Sequence, residues 1–280
     1  MWSDGPSIET NRVTSPIGAA GGGPQPSMFD LSNHVAVVTG GSAGLGLGCA
    51  RGLVKCGASV AIWSRSSEKL AAAAAELGAL GCRDVLTLEV DVAVPLQIQE
   101  AMKLTLAHFG RVDSFFANAG KARATPLLET DVDAYRAINA VNFEGMLNGF
   151  REAARHMIDQ RRGGKLIATS STAAIMGSPD LVAYTAAKGA MAATVRALAV
   201  ELGPHNIQVN AILPGMFRTA MTNRVEGLVD RLLPRIPSTF IAEPRHIEGI
   251  AVFLASRESD YVTGACIPVD GGLSIAWNWS

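Results

Sequence analysis

The chain has 280 residues and a mass of 29.2 kDa, with 48% hydrophobic residues, 18% charged residues and a net charge of −1. That is ample apolar material for one large core, and the balanced charge gives no electrostatic reason to expect nucleic acid or an anionic membrane as partner. Composition also excludes disorder, collagen and coiled coil. No stretch offers the roughly 20 predominantly apolar residues of a spanning helix.

The first residues, MWSDGPSIET, lack a basic segment followed by an apolar run, so they do not read as a secretory signal. Thirteen of residues 1–27 are Gly, Pro or Ser, including GGGPQP, which predicts a flexible tail. Residues 28–280 are expected to form one domain. From Leu31 onward, short apolar runs alternate with longer helical segments. Strands are expected at Val35–Thr39, Ser59–Trp63, Val85–Glu89, Ser114–Ala117, Lys165–Thr169, Ile207–Ala211 and Cys266–Val269. Helices are expected at Leu45–Cys56, Glu68–Leu77, Pro95–Phe109, Val132–Arg161, Ala183–Leu202 and Arg245–Ala255. Runs that are apolar on both alternating faces are buried on both sides, as in a parallel sheet. Strand–helix alternation without repeat or break implies an α/β fold with one doubly wound sheet. Four cysteines (Cys49, Cys56, Cys82 and Cys266) form no C-x-x-C pair. They fit buried thiols in a reduced, cytoplasmic protein.

The first expected strand runs into Thr39-Gly40-Gly41-Ser42-Ala43-Gly44-Leu45-Gly46 and then a helix. Glycines there permit a tight turn and let backbone N–H groups approach a pyrophosphate at the helix N-terminus. Gly40, Ser42, Ala43, Gly44, Leu45 and Gly46 are therefore candidate cofactor ligands. The spacing, Gly-x-x-x-Gly-x-Gly, differs from the usual dinucleotide fingerprint. After the second strand, where an acid would bind the ribose 2′-hydroxyl of NAD, the chain reads Trp63-Ser64-Arg65-Ser66, with no acid until Glu68. Arg65 offers a forked cation for a 2′-phosphate, with Ser64 and Ser66 as hydroxyl donors, which favours NADP over NAD. The competing reading of Arg65 is a solvated surface charge at a helix start. Asp91 and Val92 follow the third strand. There a carboxylate either accepts from the adenine amino group or simply terminates a turn before Pro95. Asn118, Ala119 and Gly120 follow the fourth strand, and Asn118 has the alternative role of tying strand ends together.

Tyr184-Thr185-Ala186-Ala187-Lys188 places a phenol and an ammonium at i and i+4 on one helix face, in a chain with only three Tyr. A neighbouring cation stabilises phenolate, and a shift of about three units from the ordinary value near 10 corresponds to about 4 kcal/mol. That would make Tyr184 an acid/base near neutrality. Ser171, at the end of the fifth strand, can donate to a substrate oxygen.

With these residues in register, the chain resembles the short-chain dehydrogenase/reductase family from Asp30 to Leu273. The resemblance is carried by TGGSAGLG at 39–46, ANAG at 117–120, Asn142 in VNFEG, Ser171, YTAAK at 184–188, PG at 214–215 and VDGG at 269–272. It implies a single Rossmann domain with a seven-stranded parallel sheet and a tetrad of Asn142, Ser171, Tyr184 and Lys188. Asn142 would carry a water relay to Lys188. Pro214, Gly215, Phe217 and Thr219 would border the nicotinamide. Position 43 is Ala where NADP users of the family often carry a basic residue, which leaves the NADP preference to Arg65. Residues 216–240 would form a substrate lid.

The implied reaction is hydride transfer between the nicotinamide and a ketone or secondary alcohol. Tyr184 moves the oxygen's proton, Ser171 positions that oxygen, and Lys188 binds the ribose. The segment around ELGPHNIQVNAILPGMFRTAMTNR is similar to sugar-acid and polyol dehydrogenases, with a 3-oxoacyl-carrier-protein reductase as the rival. A non-catalytic nucleotide-binding scaffold is the alternative from another class. Five scattered histidines show no metal-ligand spacing. Trp277 and Trp279 near the C-terminus, together with the family resemblance, point to a homotetramer. Lys121 and Arg123, with Arg218 and Arg224 in the lid segment, are candidate cations for an anionic substrate.

Overall fold

In the computed structural model, which describes residues 27–222 and 227–276, strands and helices alternate from the first apolar run onward. The order is β1 (Val35–Thr39), α1 (Gly44–Lys55), β2 (Ser59–Ser64), α2 (Ser67–Ala79), β3 (Val85–Glu89), α3 (Pro95–Phe109), β4 (Ser114–Ala117), α4 (Val132–Asn139), α5 (Gly145–Gln160), β5 (Gly164–Thr169), α6 (Val182–Leu202), β6 (Ile207–Pro214), α7 (Leu228–Leu232), α8 (Glu248–Ala255) and β7 (Cys266–Val269). All strand pairings are parallel, in the order β3-β2-β1-β4-β5-β6-β7. The chain is an α/β fold with one doubly wound sheet. The order reverses between β1 and β4, so their carboxyl ends flank a crevice, the place where ligands bind in such sheets.

Successive strand residues face opposite sides, so each strand feeds two cores. Phe115 of β4 packs with Trp63, Phe150 and Met157 on one side of the sheet, while Phe116 joins Leu53, Ile62 and Ile247 on the other. Phe115 meets Trp63 edge-on with ring centroids 5.5 Å apart and Phe150 at 6.2 Å. Pairs of this kind contribute about 0.5–1.5 kcal/mol beyond burial. Every residue of β1, β4 and β6 is buried, including the polar Thr39, Ser114, Gln208 and Asn210 among their mostly apolar neighbours.

Several boundaries shift by one or two residues, and the larger departures from expectation have local causes. The helix expected over Val132–Arg161 is interrupted at Ala140–Glu144 by a π-helical turn, whose wider winding carries Asn142 into the interior. It ends where Arg161 takes a left-handed conformation (φ 53°). Strand β6 runs on to Pro214 instead of stopping at Ala211, because β7 extends the pairing to Pro214↔Val269. The segment expected as helix from Arg245 opens with a 3₁₀ turn, Pro244–Ile247, before α8. The segment expected as a lid holds a short helix, α7, followed by a 3₁₀ turn at Leu233–Arg235. The expected tail at 1–27 lies, apart from Ser27, outside the described residues, as do Trp277 and Trp279. Among the described residues, no helix is long and apolar enough to cross a membrane.

Candidate active site

At the carboxyl end of β1, Gly40 adopts φ +64° and its N–H donates to Trp63 O at 2.7 Å. A left-handed residue here suits glycine alone. Gly46, one turn into α1, lies so close to the turn that an added methyl would overlap the Gly40 carbonyl and fall 2.5 Å from Asn118 Nδ2. The N-cap of α1, Ala43, makes no side-chain cap, and the first turn holds no acid. The open amides and positive dipole end of α1 are thus left for an anion. They border a cleft of about 310 Å³ lined by Gly40, Ala43, Gly44, Leu45, Asn118 and Gly120 on this side. These features fit a dinucleotide: backbone donors, a helix N-terminus and a turn that only glycine can close.

Toward the end of β2, the Ser42 hydroxyl donates to Ser64 Oγ at 2.7 Å, joining the glycine turn to the second strand. Arg65 is exposed beside this pair, and Ser66 caps α2 by accepting from Lys69 N at 3.4 Å. Asp91 Oδ1 accepts from Ala93 N at 3.0 Å, so this oxygen terminates the turn before α3. Val92 is buried against Gly145 and turns its side chain to the core. Asn118 ties strand ends: Nδ2 donates to Thr39 O at 3.0 Å, and the N–H groups of Asn118 and Ala119 both donate to Thr39 Oγ1 at 3.0 Å.

The other wall of the cleft carries Ser171, Tyr184 and Lys188. Ser171 follows β5, and its Oγ accepts from Ala173 N at 3.1 Å while lying in hydrogen-bonding reach of the Tyr184 hydroxyl. One helical turn on, Lys188 Nζ donates to Thr169 O at 2.6 Å and lies 5.7 Å from the centre of the Tyr184 ring. Asn142 is buried and bonded to the backbone of Lys121. A methyl built on Gly120 would stand 3.0 Å from Asn142 Oδ1 and 3.6 Å from Lys188 Nζ, so the three residues enclose one point.

The electrostatics correct the expectation that a cation lowers the Tyr184 pKa. Burial raises it above its ordinary value, and the Ser171 hydrogen bond offsets this only in part. Burial also pushes Lys188 down, to about 7. Among the described residues, no carboxylate lies near to hold the ammonium charged, so burial favours the neutral forms of both groups.

On the third side, Pro214, Gly215, Phe217 and Thr219 line the cleft, as do Ala220, Met221 and Thr222. Sequence reading missed Thr169 and Thr222. Thr169 Oγ1 is buried with no partner, and Thr222 is bonded to Phe217 and Thr219. The only sequence signal for Thr222 is the Thr-x-x-Thr spacing at 219–222, and Thr169 is marked only by its place at the end of the fifth strand. Of the candidate substrate cations, Arg218 is paired with Glu243 at 3.2 Å, Lys121 is half-buried and Arg123 is exposed; Arg224 lies outside the described residues. Among the described residues, no group of three or more His, Cys, Asp or Glu is arranged to hold a metal.

Comparison with known proteins shows the family. A family model described as Enoyl-(Acyl carrier protein) reductase matches residues 40–274. The chain is 33% identical to the gluconate 5-dehydrogenase of Gluconobacter oxydans over 254 residues, covering 90% of this chain and 98% of that protein. A short-chain type dehydrogenase/reductase from Mycobacterium marinum superposes with a TM-score of 0.86 at 32% identity, over 88% of this chain and 98% of that one. A gluconate 5-dehydrogenase from Burkholderia cenocepacia, crystallised with NADP and tartrate, superposes with a TM-score of 0.84 at 33% identity, over 89% and 98% respectively.

Proposed function

Because the chain belongs to the short-chain dehydrogenase/reductase family, we propose that it is an NADP-linked oxidoreductase of a sugar acid or polyol. The observation that carries the reading is the convergence of Tyr184, Ser171 and Lys188 on the cleft that also holds the glycine turn and the open end of α1. Likeness to gluconate 5-dehydrogenases supports the sugar-acid class.

When bound, the nicotinamide supplies or accepts the hydride. Gly40, Ala43, Gly44, Leu45 and Gly46 would hold the pyrophosphate, Ser42, Ser64 and Arg65 the adenosine end, and Pro214, Gly215, Phe217 and Thr219 the reactive ring. Ser171 donates to the substrate oxygen and holds it beside the Tyr184 hydroxyl. The Tyr184 phenol gives the proton in reduction and takes it in oxidation. Lys188 is poised by burial near neutrality. A nearby anionic ligand raises its charge, and that charge in turn favours the Tyr184 phenolate. Asn142 acts on the same point through the Lys121–Gly120 backbone. In the same reading the enzyme is a cytoplasmic homotetramer; the strongly exposed Tyr261 and Val200 side chains support association of subunits.

The test is a panel of sugar acids, polyols and a 3-oxoacyl thioester, each with NADP(H) and NAD(H). Turnover of a sugar acid or its keto form is expected. Turnover of the thioester alone would move the assignment to acyl-chain reduction. Dinucleotide binding without any turnover would identify a scaffold.

A further inference from the structure

We propose that Thr222 is a positioning residue whose hydroxyl sets the hydrogen-bond polarity of Thr219, making the Thr219 hydroxyl an acceptor toward the cofactor cleft; this rests on the NADP-linked reading above.

A threonine hydroxyl has one proton and two lone pairs. Thr222 Oγ1 stands 2.6 Å from Phe217 O, with Thr219 O a more distant alternative at 3.1 Å. A carbonyl can only accept, so the Thr222 proton goes to the main chain. The nearer oxygen, Phe217 O, is anchored: Phe217 is buried in the core, its strand segment bridges to Ala242, and Arg218 N donates to Ala242 O at 2.8 Å. The Thr222 oxygen accepts from Thr219 N at 3.0 Å. The two hydroxyl oxygens lie 3.2 Å apart. With the Thr222 proton committed elsewhere, that contact is a hydrogen bond only if Thr219 donates. Thr222 N closes the loop toward Thr219 Oγ1 at 3.4 Å. Thr219 is therefore left with no proton for a ligand and with accepting capacity on the cleft it lines.

The position of Thr219 indicates which ligand group it meets. Its methyl would pack 3.6 Å from a Cβ built on Gly44, at the start of α1, and it shares the cleft with Tyr184. A nicotinamide dinucleotide carries N–H donors on the adenine and on the carboxamide of the reactive ring. The adenosine end belongs near Ser64 and Arg65, and the reactive ring belongs by Tyr184. The donor matched to Thr219 is the carboxamide NH₂.

The probe is NADP against its 3-acetylpyridine analogue, in which a methyl replaces the amide NH₂ while charge and carbonyl are kept. Dissociation constants are measured calorimetrically for wild type, Thr222→Val, Thr222→Ser and Thr219→Val, with melting temperatures to compare folding. Wild type is expected to bind NADP about tenfold more tightly than the analogue, the scale of one hydrogen-bond donor. In Thr222→Val the freed Thr219 hydroxyl can donate to the acetyl oxygen, so the ratio should fall to within about twofold. Thr222→Ser should restore it, and Thr219→Val should abolish discrimination with Thr222 intact. A folded Thr222→Val that keeps the wild-type ratio would overturn the role of Thr222. Equal affinity of wild type for both dinucleotides would overturn the acceptor assignment. Failure of wild type to bind either one would overturn the NADP reading itself, and the inference with it.

Discussion

Asn142 grips Lys121 by both of its backbone polar groups: Oδ1 accepts from Lys121 N at 2.8 Å and Nδ2 donates to Lys121 O at 2.9 Å. A side-chain amide thus pairs with the chain as a strand would, and it fixes the segment that leaves β4 for the cleft. Asn142→Leu would strand both backbone groups, at about 1–3 kcal/mol each. Lys121→Ala leaves the clamp untouched, because the bonds are to the main chain. Urea unfolding should show Asn142→Leu destabilised by about 2–4 kcal/mol and Lys121→Ala within about 0.5 kcal/mol of wild type. Equal losses in the two variants would mean that the lysine side chain matters and the clamp does not.

Tyr184→Phe removes the hydroxyl beside Ser171 and keeps the ring. The expected result is a fall in kcat of about 10²–10⁴-fold, the range for loss of a positioned acid/base, with NADPH affinity within about twofold. Binding titrations and steady-state rates on the same preparation check it. A variant that retains most of its kcat would place the proton donor elsewhere.

Much of this candidate site is legible in the sequence. The seven strands stand out as short, mostly apolar runs between longer helical segments, and Tyr184 and Lys188 stand out because an i, i+4 pair is visible in any helix. What escaped has physical reasons. Pro214 reads as a strand breaker, yet at a strand's last position its missing N–H is not needed for the pairing to Val269. The π turn around Asn142 leaves no mark on hydrophobic period. The charge of Lys188 is written in its residue type, whereas its burial depends on residues distant in sequence, so the sequence suggests a lowered Tyr184 pKa where burial raises it. Thr222 acts through a short loop of hydrogen bonds that composition does not encode.

Burial of Lys188 has a pH signature. Its pKa in the folded chain is about 7, against 10.5 ordinarily. Between those values the unfolded chain binds the extra proton, so folding gains stability as pH rises from 7 toward 10.5. At and below pH 7 the full penalty for the buried ammonium is present. Lys188→Met removes that penalty, so the variant should melt above wild type at pH 6, with the gap closing by pH 10. Melting curves at the two pH values decide it. A gap independent of pH would show that the ammonium is not desolvated in solution.

His34 gives an acid counterpart at the opposite end of the sheet. It is half-buried with Nε2 2.9 Å from Ser114 Oγ, and desolvation holds its pKa at about 4 despite the nearby Asp113 carboxylate. As pH falls from about 6.5 to 4, the unfolded chain takes up a proton that the folded chain refuses, so stability drops across that window and this contribution levels off below it. His34→Gln keeps a polar group without the titration, so the loss of stability between pH 6.5 and 4 should be shallower than in wild type. Parallel slopes for the two proteins would exclude His34 as the source.

Choice of dinucleotide should follow from the end of β2. No acid stands between Ser64 and Glu68, and Glu68 sits in the first turn of α2. The Ser42–Ser64 hydroxyl pair supplies the neutral donors there, and Arg65 the exposed forked cation. A ribose 2′-hydroxyl finds no carboxylate to bind, while a 2′-phosphate meets a guanidinium and hydroxyls. The expected outcome is a higher kcat/KM for NADPH than for NADH. Arg65→Asp should cut the preference by about 10–100-fold, since it both removes the charged hydrogen bond and adds a repelling charge. Arg65 lies at the surface, so the contact is screened. Raising salt from about 0.05 to 0.5 M should increase KM for NADPH more than for NADH in wild type, and the difference should vanish in Arg65→Asp. Wild-type preference for NADH would refute the assignment, and an NADPH preference that survives Arg65→Asp would transfer recognition to the Ser42–Ser64 pair.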